Sequence, residues 1–199
     1  MKKIVLAAIA VMTFGWANAQ DVKFGVKGGI NLSNLTGDIE NTSSKVGFQV
    51  GGFAEFKLAD KFSVQPEVMY SLQGAKIKES GEFYSYEGNI NASYLNIPVL
   101  AKYYVVEKLG LEAGPQIGFL LSAKNKWEES DNGEKYSGKE NIKDNFKSTS
   151  FSLNIGAGYD FTENISAGVR YNFGVSNISD FKDEKIHNNV ISLSVGYKF

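Results

Sequence analysis

Ile191-Ser192-Leu193-Ser194-Val195-Gly196-Tyr197-Lys198-Phe199 decides how this chain is read. Apolar side chains occupy every second position, and small or polar ones fill the gaps. A period of two belongs to a β-strand, whose successive side chains point to opposite faces, and not to a helix. Seven further stretches upstream repeat the pattern. They run from Val22 to Leu32, Val46 to Leu58, Phe62 to Leu72, Leu95 to Val105, Leu109 to Leu121, Phe151 to Phe161 and Ile165 to Val175.

Across these eight stretches the apolar parity carries no Asp, Glu, Lys or Arg. At the chain's 22% charged fraction about ten would be expected on so many positions. The opposite parity holds Lys, Glu, Asn, Gln and most of the strand glycines. A wall that excludes charge this completely reads as one that faces lipid, where a Lys or Arg at mid-bilayer costs roughly 2–4 kcal/mol.

The connections alternate in length. Three are tight: Ala59-Asp60-Lys61, Glu107-Lys108 and Thr162-Glu163-Asn164. Four are long and polar, near residues 34–45, 74–92, 123–148 and 177–188. Short turns on one rim and long loops on the other are the pattern of an outer-membrane barrel. The fold expected is therefore all-β, an eight-stranded antiparallel up-and-down transmembrane β-barrel.

A soluble barrel with its apolar side inward shares this alternation. Volume separates the two, because an eight-stranded interior is just wide enough for side chains to fill. The glycine-rich polar parity fits that space, and the crowd of Phe, Tyr, Leu and Ile does not. Aromatics such as Phe24, Phe56, Phe62, Tyr103, Phe161 and Tyr197 also sit near strand ends on the apolar parity, as an interfacial girdle requires. An alternating last strand closed by Phe199 has the form of a signal read by the outer-membrane assembly machinery.

The chain has 199 residues, a net charge of −1, no cysteine and one histidine. A single domain, no nucleic-acid partner and no disulfide or thiolate chemistry follow. Residues 1–19 read as a cleaved signal peptide: Lys2 and Lys3, an apolar run from Ile4 to Phe14, then Ala17-Asn18-Ala19. The alternative is a buried N-terminal helix. Residues 20–199 form the barrel domain, located in the cell outer membrane after periplasmic transit.

Counted inward from the tight-turn rim, Lys27, Glu55, Glu67, Lys102, Glu112 and Arg170 fall at similar depth. Three acids and three bases on the lumen parity read as an ion-pair network that fills the barrel, with Arg170 paired to Glu67 or Glu112. The alternative is a proton or ion path. Pro66, Pro98 and Pro115 lie inside strands, so a bulge is expected at each.

No catalytic, metal or cofactor-binding residue is assigned, and the chain is expected not to be an enzyme. His187, with Ser179 and Asp180 nearby in sequence, reads as a solvated loop histidine. Asp131-Asn132-Gly133 lacks the remaining ligands of a calcium loop and reads as a turn. Expected partners are outer-membrane lipid, the assembly machinery during insertion, and a surface or secretion partner met through loops 74–92 and 123–148. Those loops carry Phe83, Tyr84, Tyr86, Trp127, Tyr136 and Phe146, and the preferred reading of these aromatics is that they mark hairpins extending the strands beyond the membrane.

Several runs also resemble a known family. They are Gly25-Val26-Lys27-Gly28-Gly29-Ile30-Asn31, Gln65-Pro66-Glu67-Val68-Met69-Tyr70-Ser71, Tyr94-Leu95-Asn96-Ile97-Pro98-Val99-Leu100 and Ala113-Gly114-Pro115-Gln116-Ile117-Gly118. With Gly156-Ala157-Gly158-Tyr159 and Arg170-Tyr171, they resemble the PorT-like, porin-family outer-membrane β-barrel domain across the mature chain. The resemblance implies an outer-membrane barrel with a structural or interaction role. It implies, as the alternative, a narrow channel or an accessory component of outer-membrane transport or protein secretion.

Overall fold

The computed structural model describes residues 22–199 apart from Glu82 and Gly133. The signal-peptide assignment, residues 1–19, lies outside the described residues, as do Gln20 and Asp21. Nine strands are present among the described residues: β1 (Val22–Gly37), β2 (Thr42–Ala59), β3 (Phe62–Ser80), β4 (Tyr84–Val106), β5 (Leu109–Asp131), β6 (Glu134–Asn141), β7 (Thr149–Asp160), β8 (Ile165–Gly174) and β9 (Ile186–Lys198).

Eight of them close a ring. Each pairs antiparallel with its neighbours in the order β1, β2, β3, β4, β5, β7, β8, β9, and β9 returns to β1 from Gly25↔Lys198 to Gly37↔Ile186. A closed ring leaves no edge inside the bilayer, where an unpaired peptide group has no water to bond. β6 stands outside the ring and pairs only with β5. The three tight connections fall where the sequence places them, at residues 60–61, 107–108 and 161–164.

The side-chain parity decides inside from outside. Phe24, Val26, Ile30, Val50, Leu111, Leu153, Val169, Leu193 and Val195 are exposed on the outer wall. Asn31, Glu55, Gln65, Glu67, Lys102, Glu112, Asn154 and Arg170 are buried within the ring. The greasy parity therefore meets lipid and the polar parity lines the barrel axis. Tyr–Phe pairs on this wall, Tyr159–Phe161 at 5.1 Å and Tyr197–Phe199 at 5.6 Å, sit at the tight-turn rim.

The strand prolines do not sit at bulges. The register runs unshifted through Pro66, Pro98 and Pro115, and the irregularities lie elsewhere, near Ser44, Lys57, Ser93 and Tyr104. The physical reason is their placement. Pro66 pairs with Val99, next to Pro98, while Pro98 pairs with Gln116, next to Pro115. The three missing donors are gathered in one patch of β3, β4 and β5, where the ladder skips residues without slipping. Gly114 helps, because a Cβ there would lie 2.0 Å from the Val99 carbonyl oxygen.

Much of the sequence expected to be loop is strand. β3 and β4 remain paired out to Ser80↔Ser85, and β4 and β5 out to Tyr84↔Asp131. The loop at 123–148 contains the upper half of β5 and all of β6. Asn132, with φ 49°, takes the left-handed conformation common at a tight hairpin turn. β4 and β5 have 23 residues each. A bilayer crossing uses about 9–11. The excess makes a four-stranded blade, β3–β6, that rises past the outer rim.

One prediction tests the inside–outside assignment. Leu193→Lys on the lipid wall is expected to destabilise the folded barrel by about 2–4 kcal/mol in liposomes, measured by urea unfolding. Leu193→Ala should cost clearly less.

Candidate functional site: the filled lumen

The lumen is stratified. At the outer mouth the inward residues are apolar. Leu35, Ala75, Ile90, Ile178 and Ile186 form one buried cluster, and Ala92, Tyr94, Leu120 and Ala123 form a second. Ile142 and Phe146 pack against both. They arrive on the 142–148 segment, which is tied to the 175–185 segment by Lys147 N–H to the Ile178 carbonyl at 2.8 Å and Asp180 N–H to the Asn145 carbonyl at 3.0 Å. Two loops are thus folded into the mouth by their own apolar residues, each worth roughly 1.5–3 kcal/mol when fully buried. The polar parity does not extend to the outer rim, and Phe146 faces the interior instead of a partner.

Below the cap lies an uncharged polar layer. Asn31 Nδ2 donates to Ser71 Oγ at 2.7 Å, Ser33 Oγ donates to the Gly74 carbonyl at 2.8 Å, and Asn188 Nδ2 donates to Gln73 Oε1 at 2.6 Å. Asn172 Nδ2 closes a similar link to Asn154 Oδ1 at 3.0 Å.

The ionic layer comes next. Glu67 sits at its centre, accepting from Lys27 Nζ at 2.6 Å, from Gln65 Nε2 at 2.6 Å, and from both terminal nitrogens of Arg170 at 2.9 and 3.0 Å. The Arg170 Nε donates to Glu112 at 2.7 Å. Arg170 and Glu112 are each opposite Gly156 on β7, and a Cβ at Gly156 would come within 3.1 Å of the Glu112 carboxylate. The gap left by that glycine is what lets the pair meet.

A second group lies nearer the tight-turn rim. Glu55 accepts from Lys102 Nζ at 3.3 Å and from the Tyr104 hydroxyl at 2.6 Å, and Lys198 Nζ is 3.2 Å from it. Lys198 also donates to both oxygens of Asp160, at 3.1 and 3.0 Å. Gln65 joins the two groups, because its Oε1 accepts from Lys102 at 3.1 Å while its amide donates to Glu67.

The structure therefore brings together Lys27, Glu55, Glu67, Lys102, Glu112 and Arg170, and Arg170 meets Glu67 and Glu112 at once. Sequence reasoning left Lys198, Asp160, Gln65 and Tyr104 out of the network. All four lie on the lumen parity of their strands. Lys198 and Asp160 lie closer to the tight-turn rim than the six residues singled out, and Tyr104 continues the parity of Lys102. With all of them placed, each of the eight ring strands supplies one charge, four acidic and four basic.

Phe53 is a further departure, since a large aromatic was not expected inside. Its ring is buried because Gly25 and Gly196 leave room: a Cβ on Gly25 would lie 2.4 Å from it. Lys27 Nζ stands 5.3 Å from the ring centroid. Between this ring, the ionic layer and β7–β9 there remains a void of about 30 Å³, room for one or two waters.

His187 is on β9 opposite Thr36, not in a loop, and its Nδ1 has no hydrogen-bond partner among the described residues. Ser179 Oγ donates to Glu184 Oε2 at 3.2 Å. No hydrogen bond joins His187 to Ser179 or Asp180 among the described residues, so no nucleophile–base pair is assembled there.

A lipid-facing ring of eight strands with a filled polar lumen defines a small outer-membrane barrel. The family model for the outer membrane protein β-barrel domain matches residues 18–180, and the chain belongs to that family. Its place is the outer membrane. The fold is similar to that of Ail, the attachment invasion locus protein of Yersinia pestis, with TM-score 0.53 and 14% identity over 90% of this chain and 100% of that one. It is similarly close to Neisserial surface protein A, with TM-score 0.52 and 14% identity over the same shares. At these identities the likeness is one of fold. No curated protein matches by sequence.

Arg170→Met is expected to cost about 3–5 kcal/mol, because it strands two buried carboxylates. The double variant Arg170→Met/Glu67→Gln should recover part of that loss in a double-mutant unfolding cycle.

Proposed function

We propose that this protein is a non-enzymatic, non-conducting outer-membrane scaffold whose working part is the blade β3–β6 outside the membrane. The observation that carries the reading is the stacking of three filled layers along one barrel axis. An ion entering from the periplasm reaches a vestibule of about 570 Å³ whose lining includes Glu55, Tyr104, Asp160 and Lys198. Beyond it every charge of the ionic layer is paired, and the mouth above is filled by hydrocarbon. The ionic layer acts as a plug in this reading, and Lys27, Glu55, Glu67, Lys102, Glu112 and Arg170 serve stability and register.

The blade supplies what the lumen lacks, an accessible surface. Its lumen-parity face carries Tyr84, Tyr86, Trp127 and Tyr136 among Glu79, Glu129, Asp131, Glu134 and Glu140. Rigid aromatics bring large contact area at low entropic cost, and the acids around them favour a basic partner. This is the surface offered to a partner through the 74–92 and 123–148 segments. The narrower PorT-like resemblance suggests a secretion partner, for which the same face would serve.

Planar-bilayer recording of the folded protein should show no steady unitary conductance. A sustained current would overturn the plug. Arg170→Ala, if it folds, is expected to raise leak by opening the ionic layer.

A further inference from the structure

The two faces of the blade differ in charge. On the face continuous with the lipid wall, β3–β6 place Lys76, Asn89, Lys126 and Lys139 directly opposite one another in a single cross-strand row. Lys126 and Lys139 are like charges in register, a pairing that destabilises a sheet. Neighbouring strands are about 4.8 Å apart, so three ammonium groups share a strip roughly 15 Å wide.

A fourth amine is brought to the same strip. Lys45, buried at the bulge in β2, reaches past Gly74 to donate to the side-chain carbonyls of Asn89 and Asn91, the latter at 2.6 Å. Its Cδ would lie 3.4 Å from a Cβ on Gly74, and Gly74 has φ +141°, so glycine serves both the crossing and the backbone. Burial holds the Lys45 ammonium below its ordinary pKa, and Lys76 and Lys126 add repulsion in the same direction.

The adjacent row holds two acids, Glu87 opposite Glu128, and both line the same pocket. Glu87, on the next row, is engaged by Lys78 at 2.7 Å. Among the described residues none of Lys45, Lys76, Lys126 and Lys139 is in a salt bridge. Lys76, Asn89, Lys126 and Lys139 also line an open pocket of about 630 Å³.

We propose that this pocket binds the phosphate groups of an outer-leaflet glycolipid headgroup, with Lys76, Lys126 and Lys139 as direct ligands and Lys45 as the positioned fourth charge. Two observations select this chemistry. Four amines outside any salt bridge, against one carboxylate, Glu128, that is likewise in none, leave an excess of positive charge that asks for an anion with more than one charge. The row lies on the same parity as the lipid-facing Leu72, four residues above it on β3, which is about 13 Å along a tilted strand. That height is the headgroup zone, within about 10 Å of the hydrocarbon edge. The inference rests on the blade standing on the outer side of the membrane, as the function proposed above does. It assigns the blade's other face to that function, so the two can fail separately.

The test uses the full chain folded in zwitterionic micelles and titrated calorimetrically with three probes. They are lipid A carrying both phosphates, lipid A stripped of phosphate, and inorganic pyrophosphate. Bisphosphorylated lipid A should bind at least tenfold more tightly than the stripped lipid or pyrophosphate. The triple variant K76Q/K126Q/K139Q should lose that advantage, and the triple Arg variant should keep it. Heat-modifiable mobility on a gel confirms that each variant is folded; should the Gln triple fail it, the single variant K126Q, with an expected loss of about threefold, replaces it. Equal binding of the two lipids, or an unchanged folded Gln variant, would overturn the site. Pyrophosphate binding as tightly as lipid A would overturn the lipid assignment.

Discussion

Glu67 is the interaction on which the rest of the barrel is built. It is almost wholly removed from solvent, yet it is met by a lysine from β1, a glutamine from its own strand and a bidentate arginine from β8. A carboxylate so placed is tolerable only while its partners stay within hydrogen-bond reach, since an unpaired buried charge costs several kcal/mol. Their reach is fixed by strand register. A slip of two residues keeps every side chain on its proper face but moves it by about 6.6 Å along the strand, which breaks the contact. The hydrophobic pattern forbids odd slips, and the charge network forbids even ones. With one charge from each of the eight ring strands, this second condition applies around the whole circumference.

The network is therefore best understood as a specification of the closed state and less as a source of net stability. Well-packed apolar residues of similar volume could stabilise an interior equally well. They would specify register poorly, because one aliphatic side chain substitutes readily for another. The same lumen does use hydrocarbon at its outer mouth, where two segments from outside the ring, 142–148 and 175–185, fill the opening. There a cap that adapts to loops is needed, and Ile142, Phe146 and Ile178 supply it without demanding exact partners.

The fold was legible in the sequence because its strongest signal is local. A charge-free parity repeated in eight stretches needs only the dyad period to be recognised, and the tight turns at 60–61, 107–108 and 161–164 set the strand order. The ionic residues were legible as a set for the same reason, since parity and depth are both counted along single strands. Their pairing was less so: Lys102 stands opposite Glu112 in register yet turns across the lumen to Glu55. Partner choice there depends on the curvature of the closed ring, which no single strand encodes. Phe53 was missed because its place is created by glycines on β1 and β9. The prolines misled because each was judged against its own strand, whereas their placement together on three strands confines the lost hydrogen bonds to one patch.

The upper blade shows where periodicity alone stops being informative. Above the membrane both parities are polar, so alternation no longer separates strand from loop, and residues 74–92 and 123–131 read as loop although 74–80, 84–92 and 123–131 are strand. What survives is a different asymmetry: the parity that continues the lipid wall carries the lysines, with Glu87 and Glu128 among them, and the other carries aromatic residues with acids and no lysine. A solvated sheet has no need to sort its charges by face, because water screens both sides alike. Sorting of this kind carries meaning only if the two faces meet different surroundings. In the reading proposed above, the lipid-side face rises from the headgroups and the other from the sealed mouth, which makes the blade a partition between membrane surface and extracellular space. Its charge pattern follows from that position.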